Sequence, residues 1–200
     1  DISYWNATSA QAKYRDQIRY TFVVGVPLDK SDLFLESGAY KSDEGSLFRK
    51  NDEGKVMIGS QYKYNNVFSR PVSVNDKLII NEKEFEVKTI LKTIGNPNDD
   101  RIILMPLSDF KSLFNQTERI DQIVVQVNQE NDINEIVDRV RRRLLNKRGL
   151  TEKTRDFIIL TPEELLSSFG TVLNIITGFL IGVATISLLV GGIGIANTMF

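Results

Sequence analysis

The sequence predicts an α+β chain that ends in one transmembrane helix, and three observations carry that expectation. Apolar and polar residues alternate with a period of two, above all at 18–26 and 85–91, as they do in half-buried strands. At 107–114 and 132–148 the apolar residues instead recur every three or four positions, the spacing of amphipathic helices. No charged side chain occurs from 165 to 200, although the chain holds 25 Lys and Arg and 26 Asp and Glu, all of them earlier. A helix needs about 20 apolar residues to cross roughly 30 Å of hydrocarbon, and 171–195 supplies them.

The rival for that run is a buried helix of a soluble core, because Thr171, Asn174, Thr177, Thr185 and Ser187 dilute it. A core helix of a small domain shows one polar face, whereas membrane helices put small residues where they pack on neighbours. The membrane reading is therefore preferred. Gly178, Gly182, Gly191, Gly192 and Gly194 are the candidate helix-packing positions, the first two forming a GxxxG pair.

In chain order, 2–5 reads as a short strand and the polar 6–13 as a hairpin loop. In 18–26, Ile18, Tyr20, Phe22, Val24 and Val26 alternate with Gln17, Arg19, Thr21 and Val23 as one strand face, ended by Pro27. Residues 31–35 read as a helical turn capped by Ser31, and 36–54 as an irregular surface connection rich in Gly, Ser and charge. Strands follow at 56–58, 78–80 and 85–91, the last two a hairpin around Asn81 and Glu82. The run GNPNDD at 95–100 is a turn, 101–105 a strand closed by Pro106, and 107–114 a short helix. A strand at 120–127, a helix at 132–148 stopped by Gly149, and a strand at 157–160 have the order of a crossover unit. Thr161, Pro162 and Glu164 then form a helix cap, with Thr161 as cap, Pro162 in the first turn and Glu164 at the capping-box position. Nothing breaks the pattern between this cap and the apolar run, so one helix is expected to lead from the soluble part into the bilayer.

Composition excludes several kinds of chemistry. With no His and no Cys, zinc sites on those ligands, Cys or His nucleophiles and disulfides are ruled out. A net charge of −1 speaks against a nucleic-acid partner. Gly192 and Gly194 lack the third glycine and the preceding strand of a dinucleotide turn, and Gly54-Lys55 is followed by Val56 rather than Ser or Thr, so no nucleotide site is expected. Asp99 and Asp100 lack calcium-loop spacing and read as turn residues. Arg141, Arg142, Arg143, Lys147 and Arg148 could be read as a lipid-phosphate contact, but the solvated helix end that complements the dipole is the preferred reading, with Glu135 to Arg139 and Asp138 to Arg142 at i,i+4. Tyr62, Tyr64 and Phe68 either pack internally or line a contact surface. Two glycosylation triplets begin at Asn6 and Asn115. No catalytic, cofactor-binding or metal residue is assigned, and the chain is expected to be an interior piece of a longer protein.

The tail SLLVGGIGIANTM at 187–199 resembles the second membrane helix of FtsX-like ABC transporter permeases of the MacB type. The preceding chain is similar to their extracytoplasmic core domain through FVVGV at 22–26, LESGAY at 35–40, VMIGS at 56–60, KLIINEKEFEVKTIL at 77–91, ILMPLSDFKSLF at 103–114 and ILTPEELL at 159–166. These blocks keep the family's order over nearly the whole chain. It departs at Asn75-Asp76, where the family often has Gly-Asp, and at Asn81-Glu82, where it often has Asn-Gly; both are turn positions.

The resemblance implies a mixed α/β lobe at 1–37 and 95–165, a strand-rich lobe at 38–94 and a transmembrane helix at 166–200. It implies a non-enzymatic permease subunit in a cell membrane, residues 1–165 outside the cytoplasm, coupling ATP hydrolysis to export or mechanotransmission. Its partners would be a cytoplasmic ABC ATPase that binds the ATP, a second permease subunit in a homodimer, and the membrane, with the cargo unspecified. Two rivals stand beside it. One is a membrane-anchored regulator of an extracytoplasmic enzyme such as a cell-wall hydrolase, and the other a soluble binding module whose last helix docks on its own core.

Overall fold

The structure, a computed structural model, describes residues 1–30, 40–116, 118–128 and 132–199. Contacts divide the chain into two compact units, 1–127 and 128–200. The helical turn expected at 31–35, and LESGAY at 35–40 apart from Tyr40, lie outside the described residues.

The first unit holds eight described strands: β1 (Ile2–Tyr14), β2 (Gln17–Val26), β3 (Ser42–Gly45), β4 (Lys55–Ile58), β5 (Lys77–Ile80), β6 (Lys83–Leu91), β7 (Ile103–Pro106) and β8 (Gln122–Val125). Six of them pair in the order β2, β7, β4, β6, β5, β1, and β1 pairs again with β2, so the ring closes on itself. Closure leaves no open edge among these six, which is how barrels avoid unpaired strand borders. β3 joins β6 and β8 joins β1 from outside the ring. Strands from 38–94 thus share the ring with β1, β2 and β7.

Two cores lie on the two faces of the strands. Ala10, Ala12, Tyr14, Val23, Val56, Ile58, Phe85, Val87, Ile103 and Met105 belong to one, and Val24, Val26, Met57, Leu91 and Leu104 to the other. Alternate residues of one strand supply both cores, as the two-residue pleat requires. In β6 the parity slips once: Val56 faces Val87, but Met57 faces Thr89, leaving Lys88 as the extra residue of a bulge. That slip returns Ile90 to the first core and sends Leu91 to the second.

Helix α1 (Leu107–Phe114) follows β7 and seats Leu107 and Phe110 inward. It crosses tightly over β2, because a Cβ on Gly25 would lie 2.5 Å from that of Phe110. Gly25 is therefore fixed by the close approach of the helix rather than by its backbone angles.

Several expectations need correction. The loop expected at 6–13 is strand: β1 runs through to Tyr14, and the turn to β2 is only Arg15 and Asp16, with Arg15 at φ 54°. Small Ala10 and Ala12 fill the inner positions, so the stretch reads as polar although its inward face is apolar. In β2 the expected buried face is buried only at Val24 and Val26; Ile18, Tyr20 and Phe22 are 44%, 80% and 56% exposed, because the second core reaches only the end of β2 that pairs with β7. The irregular connection contains β3. The strand expected at 157–160 forms no ladder with any described strand, and Ile158 and Leu160 stay exposed. Asn6 is fully buried and its amide donates to the Arg119 carbonyl at 2.7 Å, so its glycosylation triplet is closed to an enzyme in the folded domain.

The turns follow their residues. Asn81 and Glu82 link β5 to β6 with φ 42° and 69°, the doubly left-handed loop that suits a tight hairpin. Asn75 sits at φ 70°. Asn75 and Glu82, where the resembling family often has glycine, thus both occupy left-handed positions.

The second unit holds α2 (Ile133–Arg148) and α3 (Pro162–Met199). Asp132 caps α2 by accepting the Asn134 N–H at 2.8 Å, and Gly149 at φ 65° ends it as expected. Glu135 pairs with Arg139 at 2.9 Å, but Asp138 pairs with Arg141 rather than with Arg142, whose Nε donates to the Asp138 carbonyl instead.

Candidate functional site

Thr161, 4% exposed, opens α3 with a reciprocal cap. Its Oγ1 accepts the Glu164 N–H at 3.1 Å, while its own N–H donates to Glu164 Oε2 at 3.1 Å. Pro162 occupies the first turn, where a missing N–H costs nothing. The three residues singled out at this joint are thus brought together, and such a cap contributes about 1 kcal/mol to holding the helix start.

From there α3 runs 38 residues to Met199 without interruption. At 1.5 Å per residue it is about 57 Å long, nearly twice a hydrocarbon core. Its apolar side chains are exposed throughout, Phe179 at 71% and Leu188 at 77% among them. Two of the threonines that dilute the run are satisfied within the helix: the hydroxyls of Thr171 and Thr185 donate to the Ser167 and Ile181 carbonyls at 3.1 and 2.8 Å. A hydroxyl tied back in this way does not oppose burial in lipid.

The five glycines do not form one surface. At 100° per residue Gly178, Gly182 and Gly192 fall on one face, with Gly191 and Gly194 on the opposite one. A Cβ at any of them would meet nothing within 4 Å, so no described residue packs on them.

The buried carboxylates act as structural clamps. Asp100 accepts the N–H of Ile94 at 2.8 Å, that of Gly95 at 3.2 Å and the Thr93 hydroxyl at 2.8 Å, which settles the 95–100 run as a turn. Burial pushes its pKa up, but these donors outweigh burial and hold it below the usual carboxylate range. Asp52, not singled out from the sequence, pairs with Lys88 and with Lys55 and accepts the Arg49 N–H at 2.6 Å. Burial raises its pKa too, and the Lys88, Arg49 and Lys55 hydrogen bonds bring it below the ordinary value. Lys88 is the bulge residue of β6, a placement that only the folded strand pairing reveals. Tyr62 and Phe68 pack internally, 5.9 Å apart, while Tyr64 is 56% exposed. Burial pushes the Tyr62 hydroxyl up to about 12. Among the described residues no three His, Cys, Asp or Glu gather as a metal site.

The family described as MacB-like periplasmic core domain matches residues 2–143. The chain belongs to this family. Residues 2–143 are thus a periplasmic core domain of the MacB-like kind, and 162–199 form a helix long and apolar enough to cross a bilayer. An uncharacterized ABC transporter permease of Methanocaldococcus jannaschii is 35% identical over 90% of this chain and 43% of its own length. A macrolide export ATP-binding/permease protein, MacB, of Marinobacter nauticus is 27% identical over 78% of this chain and 25% of its own. The chain therefore spans less than half the length of either relative. The periplasmic region of MacB from Actinobacillus actinomycetemcomitans superposes with a TM-score of 0.66 over 84% of this chain and 75% of that one, at 15% identity, and shows the shared fold. The α+β class and the MacB-type resemblance read from the sequence agree with these findings.

Proposed function

We propose that this MacB-like domain and its helix couple ATP hydrolysis on the cytoplasmic side to movement of the external domain, for export or mechanotransmission. The unbroken α3, started by the Thr161 and Glu164 cap, carries the reading. Consecutive hydrogen-bonded turns pass a displacement along the axis, whereas a break in the ladder would absorb it as a hinge. The names of the relatives, ABC transporter permease and ATP-binding/permease protein, support an ABC ATPase as the engine, fused or separate. The reading also takes a second copy as homodimer partner, and gives this chain no catalysis and no cofactor of its own.

The test is a Pro-Gly insertion after Gly170 in the protein reconstituted with its ATPase, with spin labels on the external domains of the two copies. Nucleotide is expected to change the label distance in the unmodified protein and to leave it unchanged in the insertion variant, while ATP turnover persists. Equal movement in both would refute coupling through α3. Capture of an external enzyme, with no compound transported, would establish the regulator instead.

A further inference from the structure

Within the second unit, α2, the 155–160 segment and the first turns of α3 border an open cleft of about 420 Å³. Two arginines, Arg141 and Arg155, line it together with the apolar Ile158 and Leu160 and with Glu164 and Ser167 of α3. Arg141 donates through one terminal nitrogen to Asp138 at 3.0 Å, but its Nε is buried and meets no hydrogen-bond acceptor. Arg155 reaches Glu152 only at 4.0 Å. A buried guanidinium N–H without an acceptor is costly, and a phosphate is a strong partner for such a group, because the planar guanidinium fork can meet two of its tetrahedral oxygens side by side. The lining carboxylate, Glu164, is engaged by the Thr161 N–H in the cap.

The height of the cleft narrows the choice of ligand. Glu164 and Ser167 precede Thr171, where the apolar run begins, by seven and four residues, or about 10 and 6 Å along the helix. A headgroup layer occupies roughly 5–8 Å on each side of the hydrocarbon. Leu166 and Phe169, on the same turns, are 70% and 67% exposed, as suits an interfacial level. A cation pair beside Ile158 and Leu160 at that level offers a phosphate site next to a surface for glycerol and the upper acyl chain.

We propose that this cleft binds the headgroup phosphate of an anionic phospholipid of the outer leaflet, with Arg141 and Arg155 as its ligands. The proposal rests on α3 lying in the membrane. The protein would be placed in nanodiscs of phosphatidylglycerol and phosphatidylcholine in equal parts, and the lipids it retains counted by native mass spectrometry. Enrichment of phosphatidylglycerol is expected; R141Q/R155Q, and to a lesser degree R155Q alone in its exposed segment, should lower it by about fivefold or more. R142Q/R143Q, on α2 but outside the cleft, should leave it unchanged, with equal helicity by circular dichroism in all variants. No enrichment, or an equal loss in R142Q/R143Q, overturns the site. Inorganic phosphate that displaces the lipid completely would assign the cleft to free phosphate and overturn the lipid. Failure of the protein to enter nanodiscs at all would overturn the membrane reading itself, and this proposal with it.

Discussion

In residues 1–127 the stabilising contacts reach far along the chain: Val23 lies opposite Ile103, Val56 opposite Val87, and Asp52 holds Lys88. In residues 128–200 they are local, between Asp132 and Asn134, Glu135 and Arg139, Thr161 and Glu164. The first unit buries its large apolar side chains in two cores, whereas the second leaves most of its apolar surface exposed along α3. The difference teaches that one part carries its shape through water-excluding packing of distant segments, while the other takes a shape from backbone hydrogen bonds and leaves uncovered an apolar surface long enough to cross a bilayer.

Three substitutions sharpen this contrast, in falling order of effect. Phe85→Ala, in the first core, should cost about 3–5 kcal/mol because the neighbouring side chains cannot fully close the void that the lost ring leaves. Urea unfolding of residues 1–127 would show it, and a loss under about 1 kcal/mol would mean the core is not the close-packed interior described.

Asp100→Asn should cost about 1–3 kcal/mol, since the amide cannot accept all three donors at once. The same clamps set an acid limit. Asp52 and Asp100 have folded pKa values below the ordinary carboxylate value, so the stability they add is complete above roughly pH 4 and fades as pH falls through the lower folded values. Thermal melts of the first unit should therefore drop below about pH 4, and less steeply in Asp100→Asn; a melt that rises on acidification would contradict the clamp.

Thr161→Ala, the smallest, should loosen the start of α3 by about 1 kcal/mol and leave the urea transition of residues 1–127 unmoved. Amide exchange at 162–166 would report it, and unchanged protection there would show that the cap does not hold the helix.

Much of this was legible in local pattern. The period-two runs of β2 and β6, the helical spacing of α1 and α2, Gly149 as a stop and the Thr161 cap each depend on neighbours within a turn or two. What stayed hidden depends on partners far away. The part of β1 beyond the strand expected at 2–5 was hidden because Ala, Ser and Thr can serve as loop or inner strand, and only pairing with β2 decides. The exposure of Tyr20 and Phe22 depends on where the second core stops, which no alternation encodes. The strand expected at 157–160 had the right residues and no described strand to pair with. At the joint the cap was readable, because its residues sit three apart, but the Arg141 and Arg155 cleft was not, because α2 and the segment before α3 meet only after folding.

The triple allegiance of β1 has a consequence for how the domain comes into being. Residues 6–14 pair with the neighbouring β2 across a two-residue turn, yet Ala12 and Lys13 also wait for Ile80 and Ile79, and Ile2 for Val125. Closing loops of such length is slow compared with making a hairpin. The segment that begins the barrel is thus among the last to be fully sheltered, and a chain delivered end-first to its compartment must keep that strand from foreign partners until more than a hundred further residues have arrived.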